Sequence, residues 1–239
     1  MTEPSAEEVD AFASLVKRAR TASSNRGLAE DLAARPDHGV AMLQALMQQP
    51  SAQVRWWSAN TARRELRRDA VPLLVELARS KRVGDREAAL QQLEAIDLEL
   101  VRPFIPELRR MVRGDKHLTG PGKAAMWRLA RLGDGDSAGL FRSVAAKFDD
   151  GWYTHRMPLV LAEYLDDRPS IVRRISTHDH DWMFWVSEAA RLLDVPDAEP
   201  ALAQGSTDLP DADCRAICTE ALQGLRRDRA GPHPTWDVT

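Results

Sequence analysis

The chain has 239 residues, of which 44% are hydrophobic and 29% are charged, and its formal net charge at pH 7 is −3. This length and apolar content suffice to bury a sizeable core in one domain or one continuous repeat array. The slight negative charge disfavours a protein that holds nucleic acid mainly by electrostatic attraction, although a local basic stripe is compatible with it.

Membrane and secretion signals are not found in the sequence. No apolar run approaches the roughly 20 residues that a membrane-spanning helix needs. Residues 1–13 carry acidic side chains and no apolar stretch, which argues against a signal peptide. We therefore expect a soluble, cytoplasmic protein.

The two cysteines, Cys214 and Cys218, are four residues apart, so a helix places both on one face. A disulfide within a regular helix has unfavourable geometry. A metal site needs a third and a fourth ligand, and none is nearby in the sequence. The pair therefore predicts two packed thiols in the last helix, as expected of a reducing compartment.

Helical periodicity dominates the chain, and alternating strand patterns are nearly absent. Ser5 and Glu8 form a capping-box pattern, which predicts a first helix that continues to about Ala22. Short helices follow, separated by breaks rich in Pro, Gly and Asp. These breaks lie at 35–37, 49–51, 114–115, 133–136, 149–151 and 195–197.

One sequence pattern recurs along the chain. Segment 53–63 (QVRWWSANTAR) and segment 181–191 (DWMFWVSEAAR) each carry an aromatic pair, then small residues, then an arginine at the same offset. Segment 122–134 (GKAAMWRLARLGD) is a third copy. Recurrence of this kind is typical of stacked helical repeats, in which a single helix pair cannot bury its own apolar stripe.

These segments resemble HEAT repeats. Segment 129–134 (LARLGD) looks like the end of a HEAT second helix, as does Val54-Arg55 followed by small residues. Segments 71–77 (VPLLVEL) and 105–108 (IPEL) look like first helices with the characteristic proline. The resemblance covers about residues 37–195. It implies an all-α, right-handed α-α superhelix of about five to six helix pairs, and it leaves activity open, because HEAT-like proteins include scaffolds, inhibitors, adaptors and a few enzymes.

The predicted domain is a single HEAT-like unit over residues 1–227. An N-terminal helical cap precedes the pairs, and a C-terminal cap at about 210–227 follows them. Residues 228–239 are predicted to form a flexible tail, whose Trp236 is a candidate plug for the groove of the stack. The predicted helix pairs are 38–66, 69–97, 99–132, 136–166 and 168–194.

A helical wheel places aromatic and charged side chains of the second helices opposite their buried arcs. Trp56, for example, lies opposite the arc formed by Val54, Ser58, Thr61 and Ala62. The resemblance to HEAT repeats implies that second helices line a concave wall. The predicted binding surface on this wall is Trp56, Asn60, Arg63, Lys123, Trp127, Trp152, Arg156, Phe184, Glu188 and Arg191.

This mixture of aromatic and charged residues favours a protein or peptide partner, of unknown identity, over a polyanion. Trp and Arg dominate binding hot spots, and charged neighbours set specificity. The alternative is that each aromatic ring is covered by a loop or an adjacent helix, since a wheel error of about 40° buries several of them. We predict a non-catalytic scaffold or adaptor without a cofactor.

A second hypothesis is a HEAT-like DNA glycosylase, because the Trp56-Trp57 pair resembles the aromatic pair that opens a helix in that family. The family places a carboxylate one turn after the second Trp. The chain has Thr61 there, which cannot stabilise a cationic transition state as an anion does. Asp149 or Asp150 is a substitute only by conjecture. For HEAT-like bilin lyases, a third possibility, we find no supporting residue.

The remaining motifs are weak. The segment 178–181 (HDHD) carries metal-ligand residue types but is better explained as a polar loop that caps a helix. The segment 133–136 (GDGD) lacks the later ligands of a calcium loop and predicts a repeat turn. The segment 120–123 (GPGK) lacks phosphate-loop spacing, and no catalytic triad is evident. The basic run 63–68 favours a solvated helix end, with contact to an acidic partner as the alternative.

Overall fold

The computed structural model describes residues 6–21, 26–33, 39–118, 120–148, 156–175 and 180–230. Every regular element in these ranges is helical and none is a strand, which confirms the all-α prediction. Across the same ranges, no helix combines the length and the hydropathy that crossing a membrane requires. The chain divides into two compact units, Met1–Val101 and Arg102–Thr239. The single domain over residues 1–227 stays a prediction.

The first unit contains two helix pairs preceded by two further helices. α4 continues directly into a π-helical turn, Ala62–Leu66, and a 3-10 turn, Arg67–Ala70. The later helices agree with the predicted pairs 38–66 and 69–97. The helices are α1 Ala6–Thr21, α2 Arg26–Ala33, α3 Gly39–Met47, α4 Ala52–Thr61, α5 Val71–Ala78 and α6 Val83–Ile96.

Local signals and apolar burial explain these helices. The Ser51 hydroxyl accepts a hydrogen bond from the backbone N–H of Val54 at 3.5 Å and caps α4. Pro72 lies in the first turn of α5, where its missing N–H costs nothing. α4 packs against α1, α3 and α6, and α5 packs against α6. Leu74 and Leu90 are completely buried in this core.

The second unit consists of four helix pairs, and a 3-10 segment, Leu98–Phe104, precedes the first of them. Three of the pairs agree with the predicted pairs 99–132, 136–166 and 168–194. The helices are α7 Ile105–Gly114, α8 Pro121–Arg131, α9 Ser137–Ala145, α10 Arg156–Asp166, α11 Ser170–Ile175, α12 His180–Leu192, α13 Ala198–Asp208 and α14 Ala212–Ala230.

Successive second helices of this unit are neighbours: α8 packs against α10, α10 against α12, and α12 against α14. Each of them also packs against the first helix of its own pair. α8 ends in a left-handed residue, Gly133, with φ +67°, and α12 ends in Asp194, with φ +46°. In both, the following N–H bonds a carbonyl five residues back, which is the Schellman arrangement.

Three helix pairs share one hydrogen-bonded turn. In each, an arginine at the fourth position of the second helix folds back towards the end of the first helix. Its Nη1 donates to the carbonyl oxygens five and six residues earlier, at 2.6–3.0 Å. The arginines are Arg55, Arg86 and Arg215. Because the same hydrogen-bond pattern occurs at three turns, these helix pairs share one local structure.

Two helices and one helix boundary differ from the sequence predictions. α2 was not predicted, nor was α13, which contains the helix breakers Pro200 and Gly205. Gly205 has a packing reason, because a Cβ there would lie 2.9 Å from the Cys218 Sγ. The tail predicted from residue 228 begins too early, since α14 continues to Ala230. Residues 231–239, including Trp236, and the capping residue Ser5 lie outside the described residues.

Candidate functional site

Trp56 is the exposed aromatic residue of α4. Its side chain is 38% exposed and makes a T-shaped contact with the half-buried Trp57, with ring centroids 4.7 Å apart and an interplanar angle of 81°. On the opposite side of the helix, Val54, Ser58 and Thr61 are each at most 1% exposed. The predicted exposure of Trp56 and the predicted buried arc are therefore confirmed, and the binding role of Trp56 stays a prediction.

Phe184 occupies the equivalent place on α12. It is 40% exposed and makes a T-shaped contact with Trp185, with ring centroids 5.0 Å apart at 87°. Trp185 is 5% exposed and was missed in the sequence, although its position one turn before the buried Ala189 indicates burial. The exposed Lys123 of α8 places its Nζ 5.3 Å from the Trp185 ring centroid, within range of a cation–π interaction.

The two aromatic pairs match position by position. Trp56 and Phe184 occupy the same place in the recurring sequence segments, and so do Trp57 and Trp185. In each pair the first ring is exposed and meets a second, less exposed ring edge to face; Trp57 is half-buried and Trp185 is buried. The recurrence seen in the sequence is therefore repeated in side-chain geometry, once in each unit.

Three further members of the predicted surface have different outcomes. Trp127 is only 5% exposed, so the prediction that it faces solvent is wrong. α8 packs against both α7 and α10, and these neighbours leave little of its circumference open. Arg156 is the first residue of α10 and is half-buried. Trp152 lies outside the described residues.

Arg191 and Glu188 are bound to partners within the protein. Arg191 Nη2 donates to Glu188 Oε1 at 2.6 Å, and Nη1 donates to Asp228 Oδ2 of α14 at 3.0 Å. Burial by itself would lower the pKa of Arg191, but the two carboxylates outweigh that effect and the pKa is raised. The arginine stem crosses Gly224, where a Cβ would lie 2.6 Å from Cδ. These residues join α12 to α14.

Asn60 and Arg63 follow Trp56 on the same helical face and are half-buried. The buried Asn60 Oδ1 has no hydrogen-bond partner among the described residues, and neither has the Thr61 hydroxyl. Thr61 occupies the position considered for a catalytic carboxylate, and it is 1% exposed. Asp149 and Asp150, the other carboxylates considered, lie outside the described residues.

A surface pocket of about 280 Å³ lies beside Trp56 in the first unit. Its inner wall contains a buried ion pair, in which Arg55 Nε donates to Asp85 Oδ1 at 2.8 Å. The Ser80 hydroxyl donates to the other carboxylate oxygen of Asp85 at 3.1 Å. The residues that line the pocket are Ala52, Gln53, Arg55, Trp56, Leu77, Gly84, Asp85 and Ala88.

The weaker motifs are placed as follows. Asp134, in the predicted repeat turn, accepts two hydrogen bonds from Arg109, at 2.9 and 2.5 Å. Cys214 and Cys218 are free, buried thiols, as predicted. Burial raises the pKa of Cys218. Within the described ranges no group of three or more His, Cys, Asp or Glu side chains is arranged to hold a metal ion. His178 and Asp179 lie outside those ranges.

No protein-family model matches the chain, and no curated protein sequence matches it.

Proposed function

We propose that the chain is a HEAT-like repeat protein that binds a protein or peptide partner and does not catalyse a reaction. The observation that supports it best is the pair of exposed aromatic residues, Trp56 and Phe184, at equivalent positions of two second helices. Each ring is supported edge to face by a second ring, so little side-chain freedom is lost when a partner covers it.

The repeat architecture has two kinds of support. The arginine turn recurs in three helix pairs with the same spacing. In the second unit, the second helices of successive pairs are neighbours, as stacking requires. A right-handed superhelix of five to six pairs is the arrangement that we propose from these features. The two free, buried thiols fit a reducing compartment such as the cytoplasm.

The charges on α12, the helix that carries Phe184, favour a protein over a polyanion. On α12, the positive charge of Arg191 is neutralised locally by Glu188 and Asp228. Aromatic anchors surrounded by charges of both signs are typical of protein interfaces. A protein that neutralises several phosphates needs instead an excess of unpaired cations.

The alternative, a HEAT-like DNA glycosylase, lacks a supporting observation among the described residues. Thr61 is neutral and buried where the family has a carboxylate. The alternative predicts DNA binding that weakens steeply with salt, together with release of a base. A heparin column and a DNA mobility-shift assay separate it from the first proposal.

The test of the proposed function is affinity capture from lysate of the native host, run with and without nuclease, with tagged wild type and three variants. Trp56→Ala and Phe184→Ala each remove an exposed anchor. Val40→Ala is the matched control, because it shortens an exposed apolar residue on α3, which is the first helix of its pair. A buried aromatic anchor contributes about 2 kcal/mol or more to binding, or about 30-fold in affinity.

We expect one or more proteins to co-purify with wild type and with Val40→Ala, and to be depleted with at least one of the aromatic variants. Circular dichroism and the thermal midpoint show whether each variant is folded. Equal capture by all four proteins contradicts the proposal, and so does capture that disappears only when nuclease is added.

A further inference from the structure

The N-cap of α6 and the residues on either side of it are unfavourable for helix stability, although Asp85 in the first turn is favourable. Arg82 is the N-cap and its side chain makes no capping hydrogen bond. Arginine is a poor N-cap, and the helix dipole disfavours the cations Lys81 and Arg82 at this end. The same position in two other pairs holds Ser51 and Asp211, and each of their side chains accepts a hydrogen bond from a backbone N–H of its helix.

The next two residues continue this pattern. Val83 is 46% exposed. Gly84 is the second residue of the helix, and a Cβ built there meets no atom within 4 Å. Packing therefore does not require glycine, which costs conformational entropy on folding. At Arg82, Val83 and Gly84, the residue present therefore stabilises the fold less than common substitutes would. Local conflicts of this kind are expected at functional sites.

These positions adjoin the pocket beside Trp56. Gly84 and Ala88 of α6 line it, together with Ala52 and Trp56 of α4 and Leu77 of α5. The Asp85 carboxylate at the inner wall is already bound by Arg55 and Ser80. What the pocket offers a ligand is therefore apolar contact, together with the open space that the missing side chain of Gly84 leaves.

Residues 79–82, which shortly precede the pocket residue Gly84 in the chain and are called the rim below, carry a net positive charge. Residues 79–86 contain four cations and one anion, and that anion is the paired Asp85. Arg79, Lys81 and Arg82 are exposed, and the described residues form no ion pair with any of them. Glu76, the carboxylate of α5, is also exposed.

We propose that this pocket and its rim bind an acidic peptide segment that carries one bulky apolar side chain; this inference rests on the proposed protein-binding function. The apolar side chain enters the pocket against Trp56 and Leu77. The carboxylates of the peptide meet Arg79, Lys81 and Arg82, at a helix end whose dipole also favours anions. The apolar pocket favours a peptide over nucleic acid, because nucleic acid binds proteins mainly through its charged phosphates.

The test begins with a phage-displayed random peptide library selected on the full-length protein. Enriched peptides are expected to be rich in Asp and Glu and to contain one bulky apolar residue. The best peptide is then labelled with fluorescein, and its affinity is measured for wild type and variants by fluorescence anisotropy. A short DNA duplex with the same label is titrated in parallel over a range of salt concentrations.

Two variants are designed to remain folded. Arg82→Asp removes a cation from the rim and supplies a good N-cap, so it is expected to raise the thermal midpoint while it weakens peptide binding by about tenfold or more. Gly84→Leu adds a bulky side chain at a position that lines the pocket and has open space for a Cβ, and it is expected to block binding. Lys147→Asp, which reverses an exposed charge in the second unit, is the matched control and is expected to leave affinity unchanged.

Several outcomes overturn the inference. They are peptides without acidic residues, peptide binding that survives both Arg82→Asp and Gly84→Leu, and a lower thermal midpoint for Arg82→Asp. Salt-sensitive DNA binding that Arg82→Asp abolishes also overturns it, because the rim is then a nucleic-acid surface. If selected peptides depend on Phe184 instead, this inference fails and the proposed function stands. If no peptide is enriched, the inference fails and the lysate capture judges the proposed function independently.

Discussion

The buried ion pair between Arg55 and Asp85 gives the sharpest stability prediction. The two side chains are 5% and 7% exposed, and they join α4 to α6. Asp85→Ala leaves the guanidinium buried, with its bonds to the carbonyls of Gln49 and Pro50 but without a counter-charge. Removal of one partner of a buried pair costs about 3–5 kcal/mol. We expect the lower end, about 3 kcal/mol, because the two carbonyls still solvate the charge.

Urea denaturation, followed by tryptophan fluorescence and circular dichroism, measures the effect as a lower midpoint at unchanged slope. Asp213→Ala is the matched control, since Asp213 lies in the first turn of α14 and is exposed. Its loss removes exposed charge interactions that contribute less than about 1 kcal/mol. The double variant Arg55→Met/Asp85→Leu removes both charges and is expected to be more stable than Asp85→Ala.

Equal losses for Asp85→Ala and Asp213→Ala would refute this reasoning, because burial of the pair would then contribute nothing. A double variant no more stable than Asp85→Ala would refute the idea that the unpaired charge of Arg55 causes the loss. It would show that the arginine bonds to the turn carbonyls, and not the unpaired charge, decide the cost.

Three further predictions concern the second unit. Gly224→Ala is expected to lower the free energy of unfolding by about 1 kcal/mol, because crowding of Arg191 costs about 1–3 kcal/mol and the gain in helix propensity is less than about 1 kcal/mol. Gly139→Ala, which has open space around it, is expected to raise the free energy of unfolding in the same urea assay. Hydrogen bonding and charge from Arg226 and Arg229 lower the pKa of Glu199. This contribution to stability is therefore present above the ordinary glutamate pKa and is lost as the pH falls through the folded pKa. Glu199→Gln should flatten the decrease in urea stability at acid pH. The buried Cys218, with its raised pKa, should resist iodoacetamide until the protein unfolds, and rapid labelling of the native protein would contradict its burial.

Sequence periodicity predicted most of the helices because their stop signals are local. Pro50, Pro72 and Gly133 each lie within a turn of a helix end, where backbone chemistry alone acts. α13 was not predicted because its Gly205 is explained only by the Cys218 side chain of another helix. A contact between two helices cannot be predicted from the residue pattern of one helix.

The candidate site was predicted in part for the same reason. A helical wheel separates Trp56 and Phe184 from the buried arcs, because that separation depends only on one helix. It misplaced Trp127, since the burial of that ring depends on the neighbours of α8. The unfavourable N-cap Arg82 is readable in the sequence only once the start of α6 is known.

Photo-crosslinking in the native host shows whether the exposed aromatics contact a partner. p-Benzoylphenylalanine is placed at position 56, at position 184 and, as a control, at the exposed Val40 of α3. We expect a defined protein partner, identified by mass spectrometry, to be crosslinked from position 56 or 184 and not from position 40. Crosslinks to nucleic acid, or equal yields from all three positions, would show that these aromatics are not a protein-binding surface.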